Sequence, residues 1–198
     1  MANNYPVVYV RHGETDWNRQ GLIQGSVDTE LNENGHGQAK AVGALLALCR
    51  NELRDFQIIV SPQKRARQTL GYILEALGRD DHSLDSRVRE LEFGIWEGKP
   101  FWELKASPVY PADPEGRFFW RPEGGESYED GVARVTAWRA ELTRPTLVIS
   151  HGAVGRCLMG TTAGLGPREL VTLRTPQGAY CRLEEGQIQW FDGTTETS

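Results

Sequence analysis

The chain has 198 residues, 39% of them hydrophobic and 25% charged, enough to bury one sizeable core and too rich in recurring Val, Leu, Ile and Trp to be disordered throughout. Its formal net charge is −5 and it carries no Lys/Arg-dense stripe, which argues against nucleic acid as a partner. An anionic ligand then needs a strong local pocket, because the overall field repels it.

Pro6–Val10 (PVVYV) reads as a β-strand followed by a polar loop. Asn32–Leu48 spaces Ala39, Val42, Leu45 and Leu46 as a helix does, with Asn32 as its N-cap. Phe56–Val60 (FQIIV) is the next strand. The helix behind it is expected to open on Ser61 as N-cap and Pro62 at the first helical position, and to stop near Gly78. Between Gly94 and Gly125 periodicity is lost in a stretch rich in Pro, Gly and aromatics, expected as an insert over the active site at about residues 95–125. Glu126–Leu142 is a third helix, Pro145–Ile149 (PTLVI) a third buried strand, and Val154–Gly164 a short helix. Ala179–Leu183 and Gln187–Phe191 form a hairpin around Glu185-Gly186. Alternating strands and helices imply an α/β fold: a three-layer α/β/α sandwich with a mostly parallel sheet and an antiparallel edge strand. Residues 1–198 are expected to form a single domain.

Cys49, Cys157 and Cys181 make no CxxC pair, which leaves buried thiols in a reducing compartment as the reading. The N-terminus does not resemble a signal peptide, and no apolar run approaches the roughly 18–20 residues needed to span a bilayer. A cytoplasmic location without membrane association is expected.

In an open α/β sheet, ligands bind beyond the carboxyl ends of the strands. After PVVYV comes Arg11-His12-Gly13-Glu14-Thr15, after FQIIV comes Ser61-Pro62-Gln63-Lys64-Arg65, and after PTLVI comes Ser150-His151-Gly152. Two histidines and two arginines at one sheet edge would build a cationic, partly dry pocket suited to a dianionic phosphoryl group. The expected N-terminus of the Ser61–Leu77 helix would add to its pull, and a glycine after each histidine would let the backbone come close to the ligand. There is no H-x-x-x-H pair and no carboxylate at zinc-ligand spacing, so neither metal nor cofactor is expected. His36 and His82 are read as solvent-facing, Glu92 and Glu97 as lying on the solvated side, and Glu14 as a helix-end partner.

These residues resemble the signature of the histidine phosphatase superfamily, the phosphoglycerate mutase-like proteins. The likeness runs through Arg11-His12-Gly13-Glu14-Thr15 with Trp17-Asn18, Gln24-Gly25 and Asp28, Ser61-Pro62 through Arg65-Ala66 and Thr69, Glu90 before Gly94 and Trp96-Glu97-Gly98, Gly124-Gly125-Glu126-Ser127, and Ser150-His151-Gly152. The resemblance implies that His12 attacks phosphorus to become phosphohistidine and that Glu90 protonates the leaving oxygen, then activates water. It implies that Arg11, Arg65 and His151 hold the phosphoryl oxygens, with Asn18, Gln24 and Gly152 also on the phosphate-binding side. Residues alone leave open which histidine attacks.

The expected function is a histidine acid phosphatase-type phosphomonoesterase acting on a small-molecule phosphate ester. A bisphosphoglycerate-dependent phosphoglycerate mutase and a non-catalytic phospholigand-binding module are the alternatives, and a homodimer stays open. Only 60 residues separate Glu90 from His151, too short for the long insert of the mutase branch. Ile23-Gln24-Gly25 also resembles the phosphatase branch. Trp102, Phe119 and Trp120, with Lys99 and Arg121, are candidate contacts for the substrate.

Overall fold

The computed structural model describes residues 5–193. Strands β1 (Val7–Arg11), β2 (Gln57–Val60), β3 (Ser83–Leu84), β4 (Thr146–Ser150), β5 (Tyr180–Glu184) and β6 (Gln187–Phe191) form one sheet in the order β3-β2-β4-β1-β5-β6. The β3, β2, β4 and β1 strands run parallel; β5 is antiparallel to β1, and β6 to β5. The antiparallel edge is therefore two strands deep. Its turn places Glu185 at φ 49° and Gly186 at φ 79°, the doubly left-handed turn that matches strand twist in two-residue hairpins.

The helices are α1 (Asp16–Arg19), α2 (Glu33–Leu48), α3 (Lys64–Leu77), α4 (Phe101–Ala106), α5 (Pro114–Phe119), α6 (Tyr128–Ala140), α7 (Gly152–Ala163) and α8 (Pro167–Leu170). Strand alternation sends Val8, Val10, Ile58, Val60, Leu147 and Ile149 to one face, against α2 and α3 through Val42, Leu46, Leu70 and Ile73. Val7, Tyr9, Ile59 and Val148 face the other way, against α6 and α7 through Val135, Trp138, Val154 and Leu158. Both faces of the central strands are covered, which is why their sequences are continuous apolar runs rather than alternating ones. Burying each such side chain contributes about 1.5–3 kcal/mol, so the frame beneath the strand ends is rigid.

Three expectations change. The α3 helix begins at Lys64, with Gln63 as an N-cap that makes no side-chain cap bond. Ser61 Oγ accepts from Gln63 N at 3.3 Å, a local turn that competes with helix at this position. The backbone N–H of Lys64 donates to Asp28 Oδ1 at 2.6 Å, so this helix start is answered by a protein carboxylate rather than held open for a ligand. The short elements α1, α8 and β3 were not foreseen, and the stretch after Gly94 contains α4, whose Leu104 packs with Ile23 and Trp96, and α5, which lies against α6 and α8.

Gly13 also differs from expectation. A Cβ there would lie 2.3 Å from the carbonyl oxygen of Gly35, so the glycine is required by the close approach of the β1 loop to α2 rather than by a ligand. Cys157 and Cys181 are buried with thiols pushed up to about 12 by burial, whereas Cys49 is half-buried. No helix among the described residues is long and apolar enough to cross a membrane.

Candidate active site

Val10 and Val60 both pair with Ile149, so the next residues, Arg11, Ser61 and Ser150, emerge at one level of the sheet edge. His12 follows β1 and is tied to β4 by its N–H to Ser150 O at 3.0 Å. His151 follows β4, and the two imidazole centroids are 5.1 Å apart.

His12 is 2% exposed, and its Nδ1 is 2.7 Å from Gly13 O. A carbonyl can only accept, so Nδ1 carries the proton and Nε2 keeps its lone pair. Burial, then Arg65 and Arg11, hold the His12 imidazole well below the usual histidine range. His151 is held down likewise, by burial first and then by Arg65 and His12. Its Nε2 is 2.7 Å from Ser61 Oγ. With Ser61 Oγ accepting from Gln63, the serine proton is free to go to His151 Nε2, which leaves Nδ1–H as a donor.

Arg11 Nη1 donates to Thr175 O at 2.8 Å. Arg65, fully buried, donates to Val27 O at 2.7 Å and to Gly25 O at 3.0 Å. Carbonyls fix these guanidinium planes without neutralising them, and burial pushes Arg65 down to about 10. Arg11 Nε, Arg65 Nε and His151 Nδ1 are all buried without a partner among the described residues. An unmade hydrogen bond at such a group costs about 1–3 kcal/mol. Arg65 and Arg11 act electrostatically on both imidazoles, so these donors belong to one edge whose chemistry suits the oxygens of an anion.

Glu90 reaches this edge from the segment after the 3-10 turn Ser86–Val88. Its carboxylate accepts from Ala153 N at 3.1 Å and Val154 N at 3.2 Å, at the start of α7. The α7 start, rather than that of α3, thus supplies helix-terminal N–H groups here. Gln63 joins the parts: its Oε1 accepts from Glu90 N at 2.9 Å and its Nε2 donates to Gly25 O at 2.9 Å. Arg134 Nη1 donates to Arg87 O at 2.7 Å and Arg89 O at 2.9 Å, steadying the same segment.

Asn18 neighbours His12 through Gln177, whose Nε2 donates to both His12 O and, at 3.1 Å, Asn18 Oδ1. Asn18 also closes the capping box of α1. Gln24 Oε1 accepts from Thr29 Oγ1 at 2.5 Å. A Cβ on Gly152 would lie 3.5 Å from Arg11 Cζ, an ordinary van der Waals contact, so close approach does not require glycine at this position. Gln63, Arg134, Thr175 and Gln177 were missed; they act through backbone groups far away in sequence, for which no local pattern exists.

A pocket of about 160 Å³ continues from Arg11, Glu90 and Gly152. Phe101, Tyr110 and Trp120 line it, with Arg117 and Arg156 as its further cations. Lys99 instead lies 4.7 Å over the Trp96 ring, and Arg121 pairs with Asp130 at 2.6 Å. Trp102 is 70% and Phe119 52% exposed; neither lines the pocket. Glu97 is not simply solvated, since its Oε1 accepts from Ser26 N at 2.8 Å and Phe93 N at 2.9 Å. His36 is half-buried, its Nδ1 3.2 Å from Tyr72 Oη. Glu14 is a helix-end partner, bound by Asn32 Nδ2 at 2.8 Å.

A sheet of this topology with two imidazoles, two guanidiniums that have no ion-pair partner among the described residues, and a carboxylate at its carboxyl edge defines a class. The chain belongs to the histidine phosphatase superfamily (branch 1), whose family model matches residues 7–191. A probable phosphoglycerate mutase, GpmB, of Salmonella paratyphi C (strain RKS4594) is 33% identical over 197 residues, covering 93% of this chain and 87% of its own. A solved mycobacterial glucosyl-3-phosphoglycerate phosphatase complexed with VO3 is 28% identical at a TM-score of 0.79, covering 98% of this chain and 100% of that one. A phosphoserine phosphatase from Entamoeba histolytica, in complex with 3-phosphoglyceric acid, is 25% identical at a TM-score of 0.75, covering 90% and 89%.

The depressed imidazoles carry a consequence for stability. Both histidines stay neutral in the folded state, while the unfolded chain takes up protons below about 6.5. Their contribution is complete above that pH and is lost as pH falls, by up to about 1.4 kcal/mol per pH unit for each histidine. The unfolding midpoint of the ligand-free protein is expected to fall between pH 7 and pH 5.5, and less steeply in the His12→Gln, His151→Gln double variant. Equal slopes would show that these imidazoles do not set the dependence.

Proposed function

We propose that this chain is one domain that hydrolyses small-molecule phosphate monoesters through a covalent phosphohistidine. The observation that carries the reading is the buried His12 imidazole, its Nδ1 proton committed to Gly13 O, at an edge where Arg11 Nε and Arg65 Nε are buried with no partner among the described residues. In the first step His12 Nε2 bonds to phosphorus as the ester P–O bond breaks, and Glu90 delivers a proton to the leaving oxygen. In the second, Glu90 takes a proton from water, whose oxygen displaces Nε2 and releases phosphate. Arg11, Arg65 and His151 hold the equatorial oxygens, the main contribution a protein makes to phosphoryl transfer. Asn18 supports them through its Nδ2 amide, with Gln24 and Gly152 also on the phosphate-binding side.

The mutase reading shares the first step, and the relatives named as probable phosphoglycerate mutases favour it. A mutase must return the phosphoryl group to a second hydroxyl of a retained intermediate. One experiment separates the two: incubation with 3-phosphoglycerate and a trace of the bisphosphate, measuring 2-phosphoglycerate and free phosphate beside a screen of metabolite phosphates. Phosphate release is expected to exceed isomerisation by a wide margin; isomerisation outrunning the best release in the screen would overturn the hydrolase reading. Glu90→Gln is expected to slow hydrolysis of alkyl phosphates by about 10²–10⁴-fold, and that of nitrophenyl phosphate far less, since nitrophenolate leaves without a proton. Equal losses in kcat/KM, which excludes the dephosphorylation step common to both esters, would assign Glu90 a structural role.

A further inference from the structure

We propose that the pocket beside the phosphoryl site receives a leaving group with a ring-sized apolar body and a carboxylate at its far end. This rests on the hydrolase reading and narrows it to a substrate class. The pocket holds about 160 Å³, and an apolar cavity of roughly 150 Å³ accommodates a benzene ring. Its walls include Phe93, Phe101, Tyr110, Trp120 and Tyr128. Tyr110 meets the Trp120 ring edge-on at 5.0 Å and Phe101 at 6.2 Å, an arrangement that holds flat apolar surfaces in place. A short hydroxy acid would leave these walls wet and gain nothing from them.

Beside these rings the pocket also carries two cations away from the phosphoryl site. Arg156, one turn along α7 from Gly152, donates to Leu173 O at 2.8 Å and to Tyr128 Oη at 3.0 Å. Arg117 on α5 donates to Pro111 O at 3.0 Å and to Ala112 O at 2.5 Å, and lies 5.4 Å from the Tyr110 ring centroid. Both are thus fixed by neutral oxygens and a ring, and neither has an ion-pair partner among the described residues. The pocket's own carboxylates are engaged elsewhere: Glu126 pairs with Arg134 at 3.1 Å and Arg89 at 3.4 Å, and Glu90 with the backbone of α7. Glu90 favours the charged form of Arg156 across the pocket without forming an ion pair with it, so the guanidinium stays open to a ligand carboxylate, whose planar fork matches its own. An ammonium on the leaving group would meet two like charges instead.

The test is calorimetric binding of non-hydrolysable probes to the full chain: benzylphosphonate, 4-carboxybenzylphosphonate and the short acid 3-phosphonopropionate. The carboxybenzyl compound is expected to bind at least about tenfold tighter than either other, the gain of one charge-assisted contact. In Arg156→Met its lead over benzylphosphonate should shrink to about threefold or less, and Arg117→Met provides the same comparison on another element should the first variant fail to fold. Equal affinity of the benzyl and carboxybenzyl probes removes the carboxylate, equal affinity of the short acid removes the ring, and no binding of any probe removes the subsite. Failure of the hydrolase reading looks different: the carboxybenzyl preference persists while no phosphate ester in the screen is hydrolysed.

Discussion

Replacing His12 with alanine is expected to abolish turnover, by on the order of 10⁴-fold or more as for other nucleophile removals, while the chain stays folded. The imidazole is held by one hydrogen bond to its neighbour, Gly13 O, and sits against two guanidiniums that disfavour its protonation. Its loss therefore removes the attacking lone pair without removing a bond that joins distant elements; the backbone link from His12 N to Ser150 O is unaffected by the substitution. Brief quench of wild type with a labelled phosphate ester should yield an acid-labile, base-stable label, and circular dichroism should report the variant as folded. Labelling of His12→Ala to the wild-type level would refute the assignment of the nucleophile and turn attention to His151.

Arg65→Lys is expected to lower kcat/KM by about 100-fold or more, in the range seen when one donor to developing charge is lost. The charge is nominally conserved, but the geometry is not. Arg65 spends its two terminal nitrogens on Val27 O and Gly25 O and keeps Nε without a partner among the described residues. An ammonium cannot reach both carbonyls and still present a donor from the middle of the side chain. Gly25 O also accepts from Gln63 Nε2, and Gln63 carries the backbone of Glu90, so the substitution should disturb the acid as well as the phosphoryl cradle. The alkyl-to-nitrophenyl rate ratio separates the two effects: a ratio that drops with Arg65→Lys reports the coupling to Glu90. A variant retaining most of the wild-type kcat/KM would remove Arg65 from the site.

Much of this was legible in the chain itself. Apolar runs such as PVVYV and PTLVI must be buried on both sides, and with helical periods between them they require a covered parallel sheet. Arg11, His12, Arg65, His151 and Glu90 follow strands or recognisable motifs, so chain order alone puts them near one edge. Asn32 at the N-cap of α2 and the Glu185-Gly186 turn were equally readable, because a cap and a two-residue turn depend only on neighbours in sequence.

The rest required tertiary structure. Ser61 has the local chemistry of a helix N-cap, yet its hydroxyl serves His151, 90 residues away, and α3 starts later. Gln63, Thr175 and Gln177 carry no motif, because each is defined by a backbone carbonyl or amide that only the fold brings within reach. Lys99 and Arg121 were the readable cations of the aromatic stretch, but the ring of Trp96 and the carboxylate of Asp130 hold them, and Arg117 and Arg156 face the pocket instead. Sequence by itself determined the layers of the fold and the kinds of group at its carboxyl edge, since burial pattern and strand order are one-dimensional properties. The tautomer of His12, the helix start that receives Glu90 and the cations beside the leaving group were decided only in three dimensions, where a donor's partner is whatever packing places within about 3 Å of it.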